Sequence, residues 1–374
     1  MTWLIPLFKI YYDNDDIRAI KEVISSGMNW AVGPNVTQFE NEIAEYIGTK
    51  YCLTFNSGTS ALHTELISHR IGEGDEVIVP SFTFIATANA PLFVGATPIF
   101  ADIDEITLGL NPDSVVESIT PKTKAIIPVH YGGCPCRIRE LREIADDHNL
   151  VLIEDAAEAF GATIDGKNVG GYGDSAMFSF CQNKVITTGE GGALVTDSRV
   201  LYEKAKLIRS HGRLETTDYF SSSECMDYIT LGYNFRLSNI SAALGLAQIK
   251  KVEIIIDMRR QIADTYTSLL RKYVPAASPI TTPSGYKNVH QLYSIRIPDR
   301  DGLMRFLTDH GIMTKVYFPP VHLTHFYCRE IGYKGTLPIT EKIAKEIISL
   351  PIYPGMPDED VKRVVKIMSD YYGG

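Results

Sequence analysis

Between residue 40 and about residue 200, short apolar runs rich in valine and isoleucine alternate with segments of helical period. The runs are "DEVIVPS" (75–81), "TPIFADID" (97–104), "KAIIPVH" (124–130), "LVLIEDA" (150–156), "SAMFSF" (175–180) and "GALVTD" (192–197). Runs this continuously apolar suit strands covered on both faces, as parallel strands are. Helix candidates separate the first four: "TFIATANAPLFVG", "NPDSVVESIT" with Asn111 as cap and Pro112 in the first turn, and "CRIRELREIADDHN". Such alternation predicts an α/β fold built on a mostly parallel sheet. At 374 residues the chain exceeds one ordinary core. The expected division is a large domain over residues 1–245, N-terminal arm included, and a smaller C-terminal α+β domain over 246–374.

This topology has a positional consequence, because open α/β sheets bind ligands just outside the carboxyl ends of their strands. Ser81, His130, Asp155 and Ser179 all fall there. Each alone reads as a strand-end cap or turn former, but four together point to a site. After Ser238, a cap residue, helical periodicity runs unbroken through "NISAALGLAQIKKVEIIIDMRRQIADTYTSLLRKY", which reads as one connecting helix. Beyond it come a strand, "QLYSIRI" (291–297), and a helix candidate, "RDGLMRFLTDHG". The polar stretch 213–229 carries no pattern of either kind and reads as a mobile loop.

Charge and cysteine usage exclude several functions. A net charge of −9 leaves no basic footprint for nucleic acid. No apolar run approaches the roughly 20 residues of a membrane span, and the N-terminus lacks the pattern of a signal sequence. A cytoplasmic protein is expected. Six cysteines are too few for a disulfide scaffold. Cys134 and Cys136 lack a second pair at ligand spacing, so no metal site is expected and "CPC" reads as a tight loop approaching a ligand or a subunit.

Three stretches carry candidate chemistry. "NSGTSALH" (56–63) is a small-residue turn opening a helix, where backbone N–H groups and hydroxyls suit a phosphate. It also reads as an ordinary helix cap. Asp155 ends an apolar strand, where its charge needs hydrogen bonds or a cation. A carboxylate there can hold a proton on a heteroaromatic nitrogen, or simply cap the next helix; Glu158 follows one turn later. Lys184 lies past the strand ending at Phe180 and before the glycine-rich "TTGEGG". An amine taken out of water becomes nucleophilic and can form a Schiff base with an aldehyde, although neutralising Asp155 or binding phosphate would also account for it. A phosphate cradle, a carboxylate and a reactive lysine at one sheet edge together meet the needs of pyridoxal phosphate.

Taken in order, "SGMNWAVGPNVTQFE", "NSGTSALH", "DEVIVPSFTFIATANA", "IEDAAEAFGA", "GDSAMFSF", "NKVITTGEGG", "GYNFRLSNISAALGLAQI" and "LPIYPGM" resemble the sugar-nucleotide aminotransferases of the DegT/DnrJ/EryC1/StrS type. The resemblance spans nearly the whole chain and implies the aspartate-aminotransferase fold and pyridoxal 5'-phosphate as cofactor. By the same resemblance Lys184 is the Schiff-base lysine and proton shuttle, and Asp155 the partner of the ring nitrogen. Glu158 contacts the phenolic oxygen, Gly58, Thr59 and Ser179 hold the phosphate, and Phe84 stacks on the ring. Asn234 reaches the phosphate of a neighbouring subunit's cofactor, which implies a homodimer with shared active sites. Lysine at 184 argues against the family's dehydratase branch, where a histidine stands. "NKVITTGEGG" and "EDAAEA" resemble members acting at sugar C4, which implies a nucleotide-linked 4-keto-6-deoxyhexose as acceptor and glutamate as donor, in cell-surface polysaccharide biosynthesis. Amination at C3 or of a cyclitol, and a non-enzymatic cofactor-binding regulator, are the alternatives. His322, in "PPVHL", reads as a substrate contact or, as a lone loop histidine more often is, as structural.

Overall fold

The computed structural model describes residues 3–214, 223 and 225–373. Residues 215–222 and 224, inside the stretch expected to be a mobile loop, lie outside the described residues. Seven strands form the large sheet: β1 (Tyr51–Phe55), β2 (Glu76–Pro80), β3 (Thr97–Ala101), β4 (Thr123–Ile126), β5 (Val151–Asp155), β6 (Ser175–Ser179) and β7 (Gly192–Thr196). Their order across the sheet is β1-β7-β6-β5-β4-β2-β3. The pairs from β6 through β5, β4 and β2 to β3 are parallel, as the apolar runs predict. Strand β7 alone is reversed, antiparallel to both β6 and β1. A hairpin-like connection over residues 180–191 therefore suffices where a parallel pair would need a crossover helix. That connection carries Lys184.

Local chemistry sets the element ends. Asn111 caps the helix Pro112–Ser118 by accepting from Asp113 N, with Pro112 in the first turn as expected. Strand β4 stops four residues before the predicted end, because Pro128 has no N–H for the ladder. The chain stays extended beyond it, and His130 N donates to the Asp155 carbonyl at 3.1 Å. Among the elements outside the predicted set are β1 and the helices Asn14–Ser25, Pro34–Ile47 and Arg199–Arg209.

The connector expected as one helix is two, Asn239–Ile249 and Val252–Tyr273. Ser238 caps the first by accepting from Ser241 N at 3.1 Å. The break falls at Lys250–Lys251, where Lys251 Nζ bonds Asp13 Oδ1 at 2.8 Å and Asp16 Oδ2, at the start of the helix Asn14–Ser25. Charge pairing to another element thus interrupts a pattern that is helical on both sides. Gly245 lies against the Phe39 ring, and a Cβ there would come within 2.5 Å of it.

Two apolar cores share the second helix. Its Val252, Ile255 and Ile256 pack beneath the large sheet with Phe39, Phe178 and Phe180. Its Ile262, Ala263, Tyr266 and Leu270 join a second core with Tyr293, Ile348 and Val361, which the N-terminal arm enters through Ile5. There Tyr293–Arg296 pairs antiparallel with both Ser278–Pro279 and Ile347–Leu350. The predicted helix over 300–311 forms as Arg300–Asp309. Residues 321–340 then return to the large sheet: Val321, Tyr327 and Leu337 enter its core, and the Asp102 carboxylate accepts from Ile339 N and Thr340 N at 2.9 and 2.8 Å. No helix among the described residues is long and apolar enough to cross a membrane.

Candidate active site

The carboxyl ends of β5 and β6 and the start of the helix Gly58–Ser68 meet on one face of the sheet. Asp155 is the last residue of β5 and is buried. Its Oδ2 accepts from Thr87 Oγ1 at 2.7 Å and its Oδ1 from Ala157 N at 3.1 Å. Burial nevertheless raises its pKa, because removing the anion from water outweighs these two bonds and the attraction of Lys184. A cation or proton donor at this carboxylate would relieve that cost.

Glu158, also buried, accepts from Gly132 N at 2.8 Å through Oε2. Its Oε1 lies 3.5 Å from Lys184 Nζ. Lys184 is held by the turn that bears it: Lys184 N donates to Cys181 O at 3.0 Å, and Gln291 Nε2 donates to Asn183 O. Its side chain is 14% exposed. The turn is tight at its far end, where a Cβ on Gly192 would fall 2.5 Å from Gly58 N. Glycine there lets the lysine-bearing connection and the helix start approach each other backbone to backbone.

Ser57 caps the helix Gly58–Ser68 by accepting from Ser60 N at 3.1 Å. A Cβ on Gly58 would meet Met177 Sδ at 2.8 Å and Ser179 Cβ at 3.2 Å, so the helix start sits directly on the end of β6. The first-turn N–H groups and Ser179 are thus neighbours, with Thr59 in the same turn, a donor set that suits phosphate. Together with the buried carboxylate and the amine, these residues fit pyridoxal phosphate. Phe84 is the N-cap of the helix Ile85–Phe93, 59% exposed, with its ring 5.9 Å from that of Phe318. Asn234 is exposed, and its carbonyl accepts from Asn56 Nδ2 at 3.3 Å, two residues before Gly58.

Two strand-end residues do not join this group. His130 Nε2 meets Glu154 Oε2 at 3.0 Å, and Cys136 N donates to its Nδ1 at 3.1 Å. Glu154 and Asp155 are consecutive on a strand and point to opposite faces, so His130 belongs to the far side. Glu154 also accepts from Gly170, Tyr172 and Gly173 N–H groups, fully buried. Ser81 is likewise diverted: its Oγ lies 2.6 Å from His322 Nδ1, whose Nε2 meets Glu341 Oε1 at 3.3 Å. His322 is buried within the return segment. Both cysteines of the "CPC" loop are buried, with Cys136 Cβ 2.4 Å from where a Cβ on Gly109 would fall. Among the described residues no cluster of three or more His, Cys, Asp or Glu is arranged to hold a metal.

Thr83, Thr87 and Gln291 act at this site without having been singled out in the sequence. Thr83 and Thr87 lie in the run "TFIATANA", where an i, i+4 pair of hydroxyls flanking an aromatic was the available signal. Nothing local marks Gln291, whose contact spans 108 positions.

A family model described as the DegT/DnrJ/EryC1/StrS aminotransferase family matches residues 11–369. The chain belongs to this family. It is 35% identical over 377 residues to GDP-perosamine synthase of Vibrio cholerae, covering 99% of each. DesV of S. venezuelae, solved in complex with a ketimine intermediate, superposes with a TM-score of 0.90 at 34% identity, with 99% of both chains covered. DesI, solved in the presence of its TDP-sugar product, gives 0.87 at 31% identity, covering 98% of this chain and 92% of that one. The fold is therefore that of the DegT/DnrJ/EryC1/StrS aminotransferases, and the chain is a pyridoxal-phosphate-dependent sugar aminotransferase.

Proposed function

We propose that this family member moves an amino group from glutamate to C4 of a nucleotide-linked 4-keto-6-deoxyhexose. The observation that carries the reading is the convergence of Lys184, Glu158 and Asp155 at the start of the helix Gly58–Ser68, joined to the likeness to GDP-perosamine synthase. When bound, pyridoxal phosphate supplies an aldehyde for the amine and a ring that withdraws electrons. Gly58, Thr59 and Ser179 would hold its phosphate, Asp155 its ring nitrogen and Glu158 its phenolic oxygen, with Phe84 against the ring.

Within this arrangement Lys184 Nζ takes a proton from the α-carbon of the donor and returns it at the reacting position, as general base and then acid. Glu158, 3.5 Å away, stabilises the protonated amine between those events. Asp155 stays ionised to keep the ring nitrogen protonated. With its side chain only 14% exposed, Lys184 keeps its amine largely from water.

Purified protein supplied with glutamate should form 2-oxoglutarate and a 4-amino sugar from GDP-, UDP- or dTDP-linked 4-keto-6-deoxyhexoses, detected by mass spectrometry. Amination confined to 3-keto sugars or keto-cyclitols would overturn the position assigned to the reaction.

The proposed active unit is a homodimer in which the partner subunit's Asn234 completes the phosphate site. In support, Asn234 is exposed, and the chain also exposes large apolar side chains, among them Leu231 (78%), Met28 (68%) and Trp30 (49%), an excess that invites cover. Co-expressing Lys184→Ala and Asn234→Ala chains should then restore activity, because one of the two sites in a mixed dimer keeps both residues. Activity no greater than the sum of the two parents would sink the shared site.

A further inference from the structure

We propose that Thr87, backed by Thr83, is a positioning residue whose hydroxyl holds Asp155 as an ionised acceptor for the cofactor's ring nitrogen. This rests on the role given to Asp155 above. Thr87 Oγ1 lies 2.7 Å from Asp155 Oδ2 and 2.8 Å from Thr83 Oγ1, and all three residues are buried. A hydroxyl has a single proton. When Thr87 gives that proton to the carboxylate it must accept from Thr83, so the chain runs in one direction, from Thr83 through Thr87 to Asp155. A bond donated to Oδ2, with Ala157 N donating to Oδ1, favours the anion, which accepts at both oxygens, over the acid, which must carry a proton on one of them.

The setting shows why such a device is needed. Lys184, from the β6–β7 connection, favours the anion, but Glu158 beyond β5 opposes it. Glu65, buried in the helix Gly58–Ser68, has its own pKa raised well above the ordinary value, by burial first and less by Asp155. On the far face stands the His130–Glu154 pair. Burial and the Glu158 carboxyl therefore push Asp155 toward the neutral acid, which cannot keep the ring nitrogen protonated. Thr87 O–H and Ala157 N–H act against that push, and of the two only Thr87 is a side chain that selection or substitution can change. The same short segment carries Phe84, so one turn places both the aromatic and the hydroxyl relay.

The test uses holoprotein dialysed over a series of pH values, with retained pyridoxal phosphate measured after release by alkali. Thr87→Val should weaken cofactor binding about ten- to a hundredfold at neutral pH, the range for a hydrogen bond to a charged group. Because the lost bond favours the anion, Asp155 protonates at higher pH in the valine variant, and cofactor retention should fail sooner as pH drops. Thr87→Ser, which keeps the hydroxyl, should restore the wild-type profile. Should valine prevent folding, Thr83→Ala removes only the donor behind Thr87 and should weaken binding about two- to threefold.

Wild-type affinity and pH profile in Thr87→Val, or a serine variant as weak as the valine one, would overturn the inference while leaving the role of Asp155 intact. An Asp155→Asn protein that binds cofactor as tightly as wild type would remove that role and the inference with it.

Discussion

A Lys184→Ala protein should lose amino-transfer turnover by roughly 10⁴-fold, the upper end of what one positioned acid–base group contributes, and more if the nucleophile is also lost. It should keep its fold, because the side chain is only partly buried and Glu158 retains its bond from Gly132 N. The informative companion is Lys184→Arg. A guanidinium still pairs with Glu158 but is never deprotonated in proteins and cannot serve as amine or base. If Lys184 merely neutralised the carboxylates, arginine would restore activity. As nucleophile and proton carrier it cannot be replaced, so the arginine protein should be as inert as the alanine one. Turnover is measured as 2-oxoglutarate formed from glutamate under single-turnover conditions. Substantial activity in Lys184→Arg would return the residue to the ion-pairing role that the sequence also allowed.

The parallel sheet was legible because its strands are apolar on both faces, a pattern that neither an exposed helix nor a half-exposed strand produces. The reversal of β7 was not, since direction depends on the connection rather than on the strand itself. The break at Lys250–Lys251 was hidden for a related reason: the periodicity on either side is helical, and the carboxylates that draw Lys251 away, Asp13 and Asp16, lie more than 230 positions earlier. The strand-end rule collected four polar residues, but it could not see which face each occupies. Asp155 and Ser179 lie on the face of the helix Gly58–Ser68, whereas His130 pairs with Glu154 behind the sheet and Ser81 with His322. Thr87 was passed over because a threonine inside a helix candidate has no local sign of its partner. The charged and nucleophilic groups were thus visible from their type, and the hydroxyls and amides that hold them were not.

Asp155→Asn separates structure from chemistry most sharply, because its two expected effects have opposite signs. Turnover should fall on the order of 10²–10³-fold, the usual loss when one preorganised electrostatic partner is removed. The cofactor-free protein should be no less stable, and slightly more so at neutral pH. The carboxamide can be accommodated: its oxygen accepts from Ala157 N, its NH₂ donates to Thr87 Oγ1, and the Thr83–Thr87 hydroxyls reverse. In the wild type the folded-state pKa of Asp155 is raised by burial above its unfolded value. Below the unfolded pKa the carboxyl is neutral in both states and its contribution to stability is complete. As pH rises through the raised folded pKa, the unfolded chain has already released its proton, and folding must carry the cost of a buried anion. Asparagine removes that cost, so thermal melts of the cofactor-free variant should lack this part of the wild-type decline with rising pH. A carboxylate that served only to cap the following helix would give the reverse, lower stability with little loss of turnover, and melts taken beside rates at two pH values distinguish the cases.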